Sequence, residues 1–152
     1  MFSAVETLAA PGELVIKGQR YVVRPLRECD YAELEAWVQD RHVAVVKRNL
    51  SGLPEAQQTI LLQDAFNAAR QITMTSKEAM LVLSSVDGSR RMLWMALRQD
   101  QPDITLERVA EILAEPDVLT SALNELEKME RRAIPPLPKS RLRNKKKKRV
   151  RR

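Results

Sequence analysis

The sequence predicts a mainly α protein: a small helical bundle with one N-terminal β-hairpin and a disordered basic C-terminal tail. Three observations carry this expectation. Apolar residues recur at helical spacing in five stretches between Asp30 and Arg132. Two short β-rich runs, Glu13 to Ile16 and Arg20 to Val23, flank Lys17-Gly18-Gln19 near the start. Pro135, Pro136 and Pro138 forbid further helix, and a lysine- and arginine-rich run follows them. The chain divides accordingly into a flexible arm (1–12), a helical domain with its hairpin (13–134) and a Pro-rich, then Lys/Arg-rich, tail (135–152). At 152 residues it holds one domain's worth of core, and with two Phe, two Trp and two Tyr that core is built from aliphatic side chains.

Each element has a local cause. In the arm, the apolar segment Val5 to Ala10 is stopped by Pro11-Gly12. The hairpin follows from β-branched runs separated by a glycine-containing connection, and because an isolated hairpin is marginal in water it must either pack on the helices, the favoured reading, or pair with another sheet edge. Asp30 followed by Glu33 resembles a capping box, opening a helix to about Lys47 with Leu34, Trp37, Val38 and Val45 on one face. Ser51-Gly-Leu-Pro54 breaks it, and Pro54 opens a second helix striped by Leu61, Ala65, Ala68 and Ile72. Thr73 to Ser76 caps a short apolar helix through Met80, Leu81 and Leu83. Asp87-Gly88 then reads as a turn into a helix holding the longest apolar run, Met92 to Leu97, with Leu93, Trp94 and Leu97 on one face. Pro102 ends that helix and Thr105 caps the next, striped by Leu106, Val109, Ala110 and Leu113. After Glu115-Pro116-Asp117, a last stripe of Leu119, Ala122, Leu123, Leu126 and Met129 runs to about Arg132, where Arg131 and Arg132 suit the negative helix end.

The net charge of +6 is not a property of the whole chain. Lys139 to Arg152 holds ten basic residues and no acidic one, which leaves sixteen basic against twenty acidic side chains in residues 1–138. The helical part is therefore mildly acidic, and its basicity is confined to the tail. The basic side chains Lys145, Lys146, Lys147, Lys148, Arg149, Arg151 and Arg152 are the candidates for contact with phosphate or an acidic partner. Without aromatic stacking or base readout, any nucleic-acid binding there is nonspecific and steeply salt-dependent.

Little in the sequence points to chemistry. His42 has no second His or Cys at metal-ligand spacing, so no metal is expected. Cys29 is the single cysteine, flanked by Glu28 and Asp30, whose charges oppose thiolate formation. Pairs such as Asp30 with Glu33, or Glu107 with Glu111, are explained by helix caps and solvated faces. Four scattered glycines make no phosphate loop. The expectation is a non-enzyme without cofactors, with no membrane-spanning segment, working inside the cell that makes it. Trp37 and Trp94 fall on apolar stripes and are expected to pack in the core. Surplus apolar surface is expected instead around Leu61, Ala65 and Ala68, or around Leu123 and Leu126, which are the candidate partner-binding residues.

Leu93-Trp94 with Ala96-Leu97-Arg98, the connection Gln101-Pro-Asp-Ile-Thr-Leu-Glu107 and the pattern Val109, Ile112, Leu113 resemble the tail assembly chaperones of long-tailed bacteriophages and prophages. The similarity extends over roughly residues 20–115, including Arg24-Pro-Leu-Arg-Glu-Cys-Asp30 and the helix of Trp37. The resemblance implies an α-helical adaptor in the host cytoplasm that binds the tape-measure protein and tail-tube subunits before they polymerise. It also implies two product forms through ribosomal slippage, for which Lys145 to Lys148 offer an adenine-rich template. Two rival readings are a structural virion or assembly subunit, joined through its hairpin, and a nucleic-acid-binding adaptor acting through the basic tail.

Overall fold

The hairpin turns on two residues with positive φ, Lys17 at 51° and Gly18 at 80°. In the computed structural model, which describes residues 11–133, Ile16 pairs with Gln19 across this turn. The connection is therefore a two-residue turn of the I′ kind rather than the three-residue one predicted, and its twist matches that of the strands it joins. Strands β1 (Gly12–Ile16) and β2 (Gln19–Val23) form an antiparallel two-stranded sheet. Leu14, Ile16, Tyr21 and Val23 point to one face and are buried, each such burial contributing about 2 kcal/mol. Gly12 already belongs to β1, so the predicted arm is shorter than expected; residues 1–10 and 134–152, with Lys145, Lys146, Lys147, Lys148, Arg149, Arg151 and Arg152 and the expected tail disorder, lie outside the described residues.

Six helices follow: α1 (Glu28–Arg48), α2 (Glu55–Ala69), α3 (Lys77–Leu83), α4 (Val86–Arg98), α5 (Leu106–Ile112) and α6 (Pro116–Ala133). Helix α4 is the centre. Leu93, Met95, Ala96 and Leu97 are buried on successive sides of it, because β2, α3, α5 and α6 all pack against it. Of the predicted stripe, Leu93 and Leu97 are core and Trp94 packs half-buried against it, but burial extends beyond that face because the helix is enclosed nearly all round.

The caps explain where α3, α4 and α5 start. Ser76, Ser85 and Thr105 each accept a hydrogen bond from the backbone N–H three residues on, which satisfies an otherwise unpaired donor. Asp87-Gly88 is not a turn but the first turn of α4, where Gly88 lies so close to Val82 and Leu83 of α3 that a Cβ would collide with their backbone. At the start of α1, Asp30 is the third helical residue rather than the cap; its carboxylate reaches back to the N–H of Arg27 at 2.9 Å. Glu33 is turned instead toward α4.

The main core gathers the hairpin, the inner faces of α1, α3, α4 and α5, and Ala122, Leu126 and Met129 of α6. Helix α2 stands apart, packing chiefly on α1 through Ala65 and Ala69, whose small side chains permit close approach. Its connection to α3 is held by two side chains of α1: Gln39 donates to the carbonyl of Ile72 at 2.9 Å and Glu35 accepts from the N–H of Met74 at 2.9 Å. The link between β2 and α1 is held in the same way to the end of α4, where Arg24 N–H bonds the Ala96 carbonyl and Gln99 bonds the Pro25 carbonyl.

Candidate functional site

Two surface features set this molecule apart: an apolar exposure on α2 and α3, and a row of alternating arginines and tryptophans beside an open cleft. The first arises because α2 is apolar around its circumference while only one side of it meets α1. Ala65, Ala69 and, just beyond the helix, Ile72 point inward. Ile60 is left 62% exposed, Phe66 54% and Leu61 42%. On α3, beyond the seven-residue connection 70–76, Ala79 and Leu83 are buried while Met80 and Leu81 are each 64% exposed. Among the described residues the large exposed apolar side chains concentrate between Leu53 and Val86.

This placement sorts the predicted partner-binding residues. Leu61 and Ala68 lie on the surface of α2. Ala65 does not, because the stripe is out of phase with the one predicted: Ala65 pairs with Ala69, not Ala68, in facing α1. On α6, Leu126 is core and Leu123 packs half-buried against it, since α6 uses its whole stripe to close over α4 and β1. That helix has no apolar face left for a partner at these two positions. Ile60, Phe66, Met80 and Leu81 are exposed apolar side chains that the sequence did not single out as surface; the signal for them was an apolar content too high for a helix with one buried side.

The second feature spans α1 and α4. Arg91 lies between Trp37 and Trp94, its guanidinium carbon 5.0 and 5.7 Å from the two ring centres. Arg41 covers Trp37 from further along α1 at 5.6 Å, and Arg98 covers Trp94 at 4.5 Å. Five side chains thus alternate cation and ring, each contact worth about 0.5–2 kcal/mol according to its exposure. Trp94 also donates its indole N–H to the Ile104 carbonyl at 2.9 Å, which fastens the connection leading into α5.

The two end arginines are neutralised and the middle one is not. Arg98 makes a two-pronged contact with Glu33, at 2.6 and 3.2 Å, and reaches Asp30 at 3.0 Å. Asp30 is fully buried and also accepts from Arg27. Burial pushes its carboxyl up, but hydrogen bonds from the Arg27 side chain, the Arg27 backbone and Arg98 outweigh this and hold it below the ordinary carboxylate range. Arg41 meets Asp87 at 3.3 Å. Arg91 and its neighbour Arg90 have no carboxylate or hydrogen-bond partner among the described residues, and the Nε of each is buried. Burial lowers the pKa of Arg91, with Glu33 opposing and Arg98 adding to the effect.

Beside this row opens a cleft of about 340 Å³, walled by Trp37 and Arg41 of α1, Arg90 and Arg91 of α4, and Leu106 and Ala110 of α5. Asp87 and Glu107 complete its lining. Asp30 and Glu33 lie away from its lining, both engaged by Arg98. Cys29 is exposed, and among the described residues no group of three or more His, Cys, Asp and Glu side chains is arranged to hold a metal ion. No helix among them is long and apolar enough to cross a membrane. No known protein family, curated protein or solved structure matches the chain.

Proposed function

We infer that this protein is a tail assembly chaperone of a long-tailed bacteriophage or prophage: a non-enzymatic adaptor that holds the tape-measure protein and tail-tube subunits in the host cytoplasm before they polymerise. The observation that carries the reading is the exposed apolar surface of α2 and α3. Large apolar side chains gathered in one stretch of the surface are costly to keep in water, and such exposure marks interaction sites. A holding protein needs such surface on an element whose loss of contacts does not unfold the rest. Helix α2, set outside the main core, meets that requirement. The resemblance of the Trp94 helix, the Gln101 to Glu107 connection and the helix after it supplies the class of partner.

The test is coexpression with the tape-measure protein encoded beside this chain. Wild-type protein is expected to keep that partner soluble, and Ile60→Ser with Phe66→Ser is expected to abolish the effect while leaving the melting temperature within a few degrees. A partner that stays insoluble with wild type, or stays soluble with the double variant, contradicts the reading. A second reading has its own support in the ten basic residues of Lys139 to Arg152, which favour nonspecific binding of nucleic acid. Duplex-DNA binding that persists after deletion of that segment removes the support.

A further inference from the structure

We propose that the cleft between α1, α4 and α5 is a docking site for one acidic side chain of a partner protein, a Glu or Asp carried next to an apolar residue. The inference rests on the reading of this protein as a partner-binding chaperone and assigns part of the contact. Three arginines, Arg41, Arg90 and Arg91, face two carboxylates, Asp87 and Glu107, around the cleft, which leaves one positive charge uncompensated. Arg41 is already paired with Asp87. Arg90 and Arg91 are not paired among the described residues, and each holds a buried Nε without an acceptor. The Nε atoms are shut off from the cleft, but the outer nitrogens of both guanidinium groups also lack an acceptor among the described residues, and a carboxylate entering the cleft can take charge-assisted hydrogen bonds from them.

The remaining walls define the rest of the ligand. Trp37, Leu106 and Ala110 offer apolar area next to the cations, so the carboxylate must sit beside a hydrophobic side chain to use the whole cleft. A single surplus charge suits a monoanionic carboxylate better than a dianionic phosphate, and Asp87 and Glu107 would repel a polyphosphate backbone. The stacking of Arg91 between Trp37 and Trp94 fixes its plane before any ligand arrives, which reduces the ordering cost of binding.

The experiment uses the full chain and three probes: N-acetyl-Leu-Glu-Leu-amide, the same peptide with Gln for Glu, and inorganic phosphate. Trp37 and Trp94 are the only tryptophans, and Trp37 alone lines the cleft, so its indole N–H signal in a heteronuclear NMR spectrum reports on the cleft directly. The expected result is a saturable shift of the Trp37 signal by the Glu peptide, with the Gln peptide and phosphate each weaker by about ten-fold or more. Arg90→Gln with Arg91→Gln is expected to weaken the Glu peptide by a similar factor. Glu107→Gln removes an opposing charge from an exposed position and is expected to tighten it, which tests the proposal even if the arginine variant is unstable. Absence of a saturable shift overturns the proposal, as does a phosphate response equal to that of the Glu peptide or an affinity unchanged in Glu107→Gln. A tape-measure partner kept equally soluble by wild type and by the folded arginine variant also overturns it while leaving the chaperone reading intact.

Discussion

Arg98, the last residue of α4, places its Nη2 3.0 Å from the Oδ1 of Asp30 in the first turn of α1, across 68 residues of sequence. The carboxylate has no solvent exposure and is satisfied by Arg27 as well. Removing it in Asp30→Ala leaves two guanidinium groups facing a buried gap, and a loss of about 3 kcal/mol in unfolding free energy is expected. Asp30→Asn keeps the volume and some hydrogen bonds, and the loss should be smaller. Chemical denaturation of the two variants checks both the size and the order.

The same carboxylate sets a response to acid. Its pKa in the folded protein lies below the ordinary value, so its contribution is complete above the unfolded-state value of about 4 and disappears as the pH falls through the folded value. Melting temperature is therefore expected to fall steeply below about pH 4 in wild type. In Asp30→Asn the fall should be shallower. A parallel fall in both proteins would place the acid sensitivity elsewhere.

Gly88 is expected to resist replacement. By helix propensity alone Gly88→Ala should stabilise α4 by about 1 kcal/mol. The added methyl meets the backbone of Val82 and Leu83, which cannot yield as a flexible side chain does. The collision decides the sign, and a net destabilisation of about 1–3 kcal/mol is expected in thermal unfolding.

Trp94 contributes through its hydrogen bond as well as its packing. Trp94→Phe keeps a ring for Arg91 and Arg98 but leaves the Ile104 carbonyl without its donor, for an expected cost of about 1 kcal/mol. Trp94→Ala removes both and, with the ring half-buried, should cost about 3 kcal/mol. Equal stability of the two variants would deny the ring its stacking role.

At the hairpin, Lys17 occupies a left-handed conformation that asparagine adopts more readily. Lys17→Asn is expected to raise stability by about 0.5 kcal/mol, since the exposed salt bridge it gives up to Glu115 is worth little.

Periodicity was a sound guide where one face of an element is buried and one is wet. The hairpin, α5 and α6 follow this rule, and Val109, Leu113, Ala122, Leu126 and Met129 are buried as their spacing predicts. It misled on α2, where apolar residues surround the helix and no spacing tells Ala65 and Ala69 from Leu61 and Ala68. It misled again at Gly88, because a glycine needed for close approach and a glycine needed for a turn look alike in sequence. The arginine and tryptophan row was not legible at all. Trp37 and Arg91 are 54 positions apart, and only long side chains reaching between α1 and α4 make them neighbours.

Strand β1 lies along α6 with Gly12 directly against Met129, so the first strand and the last helix meet. In a chain trimmed to residues 11–133, a short glycine-serine bridge should join the two ends, while a cut between Gly52 and Leu53, beyond the buried Leu50, opens the chain in an exposed stretch. The circularly permuted product is expected to fold, and in it α2 would lead the sequence, free to be grafted onto a partner by its own new end.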